Sequence, residues 1–506
     1  MKVFVSAGWP YLYDIPGLHN CVPMLFADVA ARFHRLHGDD VFFLCGSDDH
    51  GARIEFVSEG YGKKPADLVR EKYEATLPLL GRLGLSFDLF GRTSDERHRA
   101  FVQGFYARLR SRGALSAREE SIPFCERCSK FLPDRFLEGK CPHCGGRAYG
   151  NQCQNKKSCD RLLKPSELVE AHCAACGDVA GFRKSKHWIF SVGQHAEAAT
   201  TQVTSTAAFQ DEVKAIVHRT LREVPEMVVT RNVTWGIPLP WEDPGITAYN
   251  WVDSLLAKVS FTPEPFFKDP SAKKMFFLGK DSVPFYGVLF PALLSAADMG
   301  HSLNEWWVVP NEVFIYEGGV CSKSTGTGIW LREALAVLPG DYWRFYIFYA
   351  YARRNQVERD VDFRWERFAK AVNEELMAPL SQAVAEPGDD KATGLVDEAK
   401  DLLAQGRIGR ALATLLELVR RRPSRQVLHT ALPLLSCYIP ETAARAAACL
   451  TTGESLFPDG PVDARSVQRR YQREVEVRRG ERTLEEEITD ARADGLCVCP
   501  INLSEG

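Results

Sequence analysis

The chain has 506 residues, which at roughly 100–200 residues per domain corresponds to about three domains. Hydrophobic residues make up 45% and charged residues 25%, the usage of a folded globular protein, so disorder as the main state is excluded. The formal net charge of −3 implies no strong global pull toward nucleic acid, and the longest apolar stretch, near Val288–Ala297, is broken by Pro291 and falls far short of the ~20 residues that span a bilayer.

In chain order, Lys2–Ala7 reads as a buried first strand. Trp9-Pro10-Tyr11 and Asp14 interrupt the apolar run too soon for a signal peptide. Pro23–His37 has helical periodicity, and Val41–Cys45 reads as a second buried strand. This is the βαβ pattern of a doubly wound parallel sheet, in which ligands sit outside the carboxyl ends of strands. The segments Gly8–Asn20 and Gly46–Gly51 lie at those ends. Residues 119–230 break the alternation and read as an insertion. The pattern resumes at Val228–Trp235 and includes a strand at Met275–Leu278. A helical region starts near Val357, Glu386–Asp390 is a loop, and residues 395–451 read as amphipathic helices. The tail from about Asp463 carries dense mixed charge, and stretches such as Glu485–Arg492 have the pattern of a solvated helix or of disorder.

Cysteine is the most telling residue type. Eight of fifteen fall between Cys125 and Cys176. Cys125-x-x-Cys128, Cys141-x-x-Cys144 and Cys173-x-x-Cys176 are three knuckles, and Cys153 with Cys159 forms a wider fourth pair. A two-residue turn lets two thiolates converge on one tetrahedral zinc ion, so eight ligands suit two structural Zn2+ sites. The five-residue gap between Cys153 and Cys159 is longer than a standard knuckle and predicts a distorted or empty second site. The spacing without a secretion signal predicts an intracellular, cytoplasmic protein.

The collinear series Ala7-Gly8-Trp9-Pro10-Tyr11, Cys45-Gly46-Ser47-Asp48-Asp49-His50-Gly51, the knuckles, Trp235-Gly236-Ile237-Pro238, Trp251-Val252-Asp253, Gly279-Lys280-Asp281 and Cys321-Ser322-Lys323-Ser324 closely resembles the methionyl-tRNA synthetase family, over about residues 1–380. The resemblance implies a class I synthetase fold: an α/β Rossmann-type parallel sheet with an inserted zinc-knuckle domain and a C-terminal α-helical domain. The expected division is a first Rossmann half at 1–118, a connective insertion at 119–230, a second half at 231–330, a stem-contact-like region at 331–380, an anticodon-binding-like helical domain at 381–462 and a charged tail at 463–506. It further implies an ATP-dependent ligase that makes an aminoacyl-adenylate with ATP and Mg2+. Lys323, His19 and Ser322 would be the catalytic residues. Tyr11, Pro16, Gly17, Asn20, Gly279, Asp281, Lys323 and Ser324 would bind ATP. Trp9, Tyr11, Asp48, Trp251, Ser254, Leu255, Lys258 and Tyr286 would line the amino-acid pocket, with Asp48 on the substrate ammonium.

The chain departs from the family at working positions. Where the family's first loop has a histidine, this chain has Gly17, and where it has the glycine under adenine, this chain has His19. An imidazole there should obstruct the base unless the turn is rebuilt to bring His19 to the phosphates. Pro310-Asn311-Glu312 replaces Val-His-Gly. In the pocket, Trp9, Lys258 and Tyr286 stand where the family has a small aliphatic residue, a tyrosine and a histidine. The last tryptophan is Trp365, so the anticodon-stacking tryptophan is missing, and Arg420-Arg421-Arg422-Pro423-Ser424-Arg425 takes its place. Three readings follow. The first is an enzyme that activates an amino acid other than methionine and passes it to a small amine or hydroxylamine instead of tRNA, as in natural-product pathways that build N–N bonds, with a separate cupin-type partner. The second is a divergent methionine–tRNA ligase. The third is a non-catalytic binding protein.

Overall fold

The computed structural model describes residues 1–480 apart from 151, 156–157, 160, 205–210, 242, 322–326, 354–359 and 392. At its centre is a five-stranded sheet in the order Trp306–Asn311, Lys273–Gly279, Lys2–Ala7, Asp40–Ser47, Leu89–Arg92. All four pairings are parallel. A sheet buried on both faces needs apolar residues on both sides of each strand, and Lys273–Gly279 carries them as Met275-Phe276-Phe277-Leu278, all at 0% exposure. The strand order reverses between Lys2–Ala7 and Lys273–Gly279, so a crevice opens at their carboxyl ends. Gly8 begins the loop there and donates its N–H to the Phe277 carbonyl at 2.8 Å.

The first helix runs Leu18–Leu36, five residues earlier than the periodicity suggested, and contains Pro23. The early start follows from the loop. Asn20 Oδ1 accepts from the Gly17 N–H at 3.1 Å, which caps a turn that carries no Ser, Thr or Asp at the cap position. Strands Leu115–Cys125 and Gly181–Phe190 pair antiparallel over ten residues and lead out to and back from a second apolar core. That core is built largely of the knuckle cysteines with Leu132, Phe136, Leu137 and Ala148.

Helices Thr393–Ala404, Ile408–Arg420, Arg425–Ser436 and Pro440–Thr452 follow. In Ile408–Arg420 the buried residues Ile408, Ala411, Leu412, Leu415, Leu416, Leu418 and Val419 form one wide stripe, as a core-facing helix requires. Helices Leu331–Val337 and Gly340–Arg353 already precede the expected start near Val357, a residue that lies outside those described. The start of the tail is not a solvated helix. Ala464–Arg479 buries Val467 and Tyr471 against the body of the molecule. The charged stretch Glu485–Arg492 lies outside the described residues. Among the described residues no helix is long and apolar enough to cross a membrane.

Candidate active site

The crevice at the sheet's switch point is built from three segments. The loop after Lys2–Ala7 brings Trp9 and Tyr11. The end of Asp40–Ser47 brings Asp48. The helix Asn250–Ser260 presents Asn250, Trp251, Ser254, Leu255 and Lys258, spacings that repeat on one helical face. Asn250 joins the first two, since its Nδ2 donates to Tyr11 Oη at 2.9 Å and to Asp48 Oδ2 at 3.2 Å. The Asp48 N–H donates to the Pro10 carbonyl at 3.0 Å. Gly51 has φ of +103°, and a Cβ there would lie 2.9 Å from the Asn250 amide, so glycine is required for Asn250 to reach.

Asp48 is 3% exposed. Burial, then the neighbouring Asp253 carboxylate, pushes its carboxyl well above the usual carboxylate range, against the hydrogen bond from Asn250. Among the described residues no Lys or Arg stands within ion-pair distance of it. A cation docked beside Asp48 would stabilise its ionised form, which is what an ammonium group does. Asp253 is held differently: its Oδ2 lies 2.9 Å from His50 Nδ1.

The deeper end of the crevice is aromatic and cationic. The benzo edge of Trp9 rests on two glycines. A Cβ at Gly46 would lie 2.6 Å from Trp9 Cζ3, and one at Gly91 3.1 Å from Cη2. Lys258 is fully buried, with Nζ 4.5 Å from the Trp9 ring centre and 5.7 Å from that of Tyr286. Tyr286 lies in a π-helical turn, Phe285–Leu289, and its carbonyl accepts from Trp306 Nε1 at 3.1 Å. Phe285 packs on Trp251 with ring centres 4.0 Å apart.

The Gly8–Asn20 loop folds around the His19 imidazole. A Cβ at Gly17 would lie 2.6 Å from His19 Cε1 and Nδ1, so the ring folds back over position 17. It also packs edge-on to Trp330 at 6.0 Å. The residue exchange at 17 and 19 is thus one change: removing the side chain at 17 makes room for the ring from 19. This loop is tied to the segment after the second signature, with the Leu18 N–H donating to Ile329 O at 2.8 Å and the Leu331 N–H to Pro16 O at 3.1 Å. Tyr471 Oη, on the C-terminal helix, accepts from the Trp330 N–H at 2.8 Å and donates to Gly328 O at 3.1 Å. Ser322, Lys323 and Ser324 lie outside the described residues. Gly279 and Asp281 flank Lys280, whose Nζ pairs with Glu312 at 2.9 Å.

Asn250, the His50–Asp253 pair and the Lys280–Glu312 pair were not singled out from sequence. Asn250 had a readable signal, since it precedes Ser254 and Lys258 at helical spacing. The two pairs join residues far apart in the chain and had none.

The eight knuckle cysteines form two groups of four thiols. Cys125, Cys128, Cys173 and Cys176 make one, and Cys141, Cys144, Cys153 and Cys159 the other, with the sulfurs of each within 4.8 Å of one another. With Zn–S bonds of about 2.3 Å, a tetrahedron of thiolates has edges of about 3.8 Å. The Sγ separations fit: 3.5 Å for Cys125–Cys176, 4.0 Å for Cys128–Cys173, 3.9 Å for Cys141–Cys159 and 3.6 Å for Cys144–Cys153. The wide gap before Cys159 does not distort the second group. A turn from the Cys159 N–H to Asn155 O at 3.1 Å brings the sulfur back. Four thiols leave no open position, so the donor sets suit structural zinc.

The arginine cluster is engaged within the chain. Arg420 pairs with Glu375, Arg421 with Glu417 at 2.9 Å, Arg422 donates to the Glu386 carbonyl at 3.0 Å, and Arg425 to Leu450 O at 2.5 Å.

The sequence matches the family model for tRNA synthetases class I (M) over residues 3–385. Similar proteins include the methionine–tRNA ligase of Korarchaeum cryptofilum, 36% identical over 399 residues that cover 76% of this chain and 70% of the relative. That of Pyrobaculum calidifontis is 38% identical over 391 residues, covering 74% and 67%. The crystal structure of Mycobacterium tuberculosis methionyl-tRNA synthetase bound by methionyl-adenylate superposes with a TM-score of 0.68 at 19% identity, covering 88% of this chain and 94% of that one. The likeness to that structure is one of fold.

Proposed function

Because the chain belongs to the class I (M) tRNA synthetases, we propose that it binds an amino acid by its ammonium at Asp48 and joins its carboxylate to ATP. The carboxylate oxygen attacks the α-phosphorus, the bond to the β-phosphate breaks, and pyrophosphate leaves. A nucleophile then attacks the acyl carbon and AMP departs. The observation that carries this reading is the buried Asp48 carboxylate, which has no cation partner among the described residues and lies at the switch-point crevice beside the Gly8–Asn20 loop.

Little bond-making falls to the protein, so its work is positioning and charge. Asn250 and Tyr11 fix Asp48. His19, folded over Gly17, faces the phosphates, with Pro16 and Asn20 shaping the loop. Gly279 and Asp281 meet the nucleoside end. Ser322, Lys323 and Ser324 supply the second loop, and Mg2+ would accompany ATP. The two thiol quartets would hold zinc as structural ions.

The relatives are named for methionine and tRNA, and transfer of methionine to tRNA is the acceptor reading they support best. A second reading is favoured by Lys258 at the deep end of the pocket and by the engaged arginine cluster: a different amino acid, passed to a small amine or hydroxylamine. Amino-acid-dependent pyrophosphate exchange, run across a panel of amino acids with and without total tRNA and small amines, tests both. Methionine-dependent exchange with tRNA charging supports the first, and ATP use with another amino acid and no tRNA supports the second. No exchange with any amino acid would refute adenylation. Replacing Lys323 by Ala should lower exchange by about 100-fold or more, the loss typical of one transition-state donor. An unchanged rate would remove that loop from the reaction.

A further inference from the structure

Lys258 is an expensive residue to keep where it is. Its side chain is fully buried, and among the described residues no carboxylate stands within ion-pair distance of it. An ammonium has three N–H donors. One goes to the Ser254 carbonyl at 2.8 Å, and the ring faces of Trp9 and Tyr286 supply the rest of its surroundings. An apolar side chain of similar volume would fill the same space without the cost of desolvating a charge. Beside it, Trp9 Nε1 is also buried and has no acceptor. With the benzo edge of Trp9 wedged on Gly46 and Gly91, the pyrrole edge that bears Nε1 points away from those glycines. Among the described residues the Lys258 amine thus has one hydrogen-bond acceptor, the Ser254 carbonyl, and the Trp9 indole N–H has none.

The other end of the pocket is opposite in sign. Asn250 binds Asp48, and the Lys258 ammonium leans back along the helix onto the Ser254 carbonyl. Asn250 and Ser254 are four residues apart on one face, about 6 Å along the axis.

We infer that Lys258, with the indole N–H of Trp9, is the specificity determinant of this pocket and receives a carboxylate on the substrate's side chain, so that the amino acid activated is a short acidic one of the aspartate or glutamate kind. The inference rests on the adenylation reading of the same pocket and names its substrate class. A carboxylate accepts from both donors and gives Lys258 the partner it lacks. Methionine, whose thioether is a weak acceptor, does neither. Burial is the main cause that lowers the pKa of Lys258 to about 7, against the upward pull of Cys45, Asp48 and Asp253, and a substrate carboxylate would add to that pull.

The test uses the full chain loaded with zinc. Pyrophosphate exchange is measured with aspartate, glutamate, asparagine, glutamine and methionine, and binding of each is followed separately by calorimetry without ATP. The expected result is that one acid exceeds its own amide and methionine by at least about 100-fold in kcat/KM, the discrimination of a site that leaves a buried charge unpaired with the wrong ligand. Lys258→Met should lower that ratio to near unity by raising KM for the acid, while Lys258→Arg retains part of it. If Lys258→Met does not fold, the acid-to-amide ratio of the unaltered protein decides alone. Equal use of acid and amide, or methionine as the best substrate, would overturn the inference and leave adenylation standing. Acid binding without exchange would do the reverse.

Discussion

At the scale of single residues, burial without charge compensation sets the pH response. His98 is at 0% exposure, and its Nδ1 lies 2.7 Å from Ser260 Oγ. Its ring stacks on Phe261 at 5.6 Å, the ring that also packs against Trp9. Burial, then the His50 and Lys258 charges, holds its pKa down to about 3. An unfolded histidine takes up a proton below about 6.5, while the folded one stays neutral until about 3. The unfolded state therefore binds more protons throughout that window, and stability falls as pH falls from 6.5 toward 3. One such group costs about 2 kcal/mol between pH 7 and pH 5. Urea unfolding of the protein and of His98→Gln at both pH values should show a shallower loss in the variant, whatever its stability at pH 7. Equal slopes would mean that His98 is already protonated in the fold.

At the scale of elements, the cysteine-bearing segment 119–190 stands on its thiols. Its apolar core is small and includes Cys125, Cys141, Cys153 and Cys173 themselves, so metal ligation would replace part of the packing that a larger core would supply. Two zinc ions per chain are expected on metal analysis of the folded protein. A strong chelator should unfold the insertion and with it the hairpin Leu115–Cys125 with Gly181–Phe190, read as protease cleavage within 119–190 while the parallel sheet resists. Full resistance after zinc removal would show that the insertion folds without metal. The knuckles were readable because a two-residue turn is local chemistry. The undistorted shape of the second thiol group was not legible, because the turn that brings Cys159 back depends on a backbone bond, Cys159 N–H to Asn155 O, which spacing does not reveal. The central strands were readable for a similar reason, as continuous apolar runs. The first helix began five residues early because its cap is the Asn20 side chain reaching back to Gly17, not a residue type that marks a helix start. Within the crevice, Tyr11 and Asp48 were legible from motif order, whereas Asn250, which connects those two, appears only once strand end and helix face are brought together.

At the scale of the whole molecule, one buried arginine joins the sheet domain to the helical domain. Arg344 is at 0% exposure, and its Nη2 pairs with Asp28 Oδ2 at 2.8 Å on the first helix. The same guanidinium donates to Tyr438 O at 2.6 Å, to Cys437 O at 2.9 Å and to Gly84 O at 3.1 Å. Burial alone would raise Asp28, but Arg344 and then Arg32 bring its carboxyl below the ordinary value, so the pair is ionised. Both groups are fully buried; the guanidinium is otherwise satisfied by backbone carbonyls, whereas Asp28 also accepts from Arg32 Nε at 2.8 Å, from the Ser86 N–H at 2.8 Å and from Ser86 Oγ at 2.6 Å. Breaking a buried pair of this kind costs about 3–5 kcal/mol, far more than the intact pair contributes over apolar residues. Arg344→Ala should therefore lose about 3–5 kcal/mol in urea unfolding. Asp28→Ala added to it should cost less than Asp28→Ala alone, since the shared pair is already broken and only the Arg32 and Ser86 contacts of the carboxylate remain to be lost. The carbonyls of Cys437 and Tyr438 lie at the junction between helices Arg425–Ser436 and Pro440–Thr452, so the loss should fall first on that region. Unfolding followed by hydrogen exchange should show residues 393–452 opening before the central sheet in Arg344→Ala and together with it in the unaltered chain. A single cooperative transition in both proteins, or additive losses in the double variant, would mean that the apolar contact between helices Gly340–Arg353 and Ile408–Arg420, and not this arginine, couples the two halves.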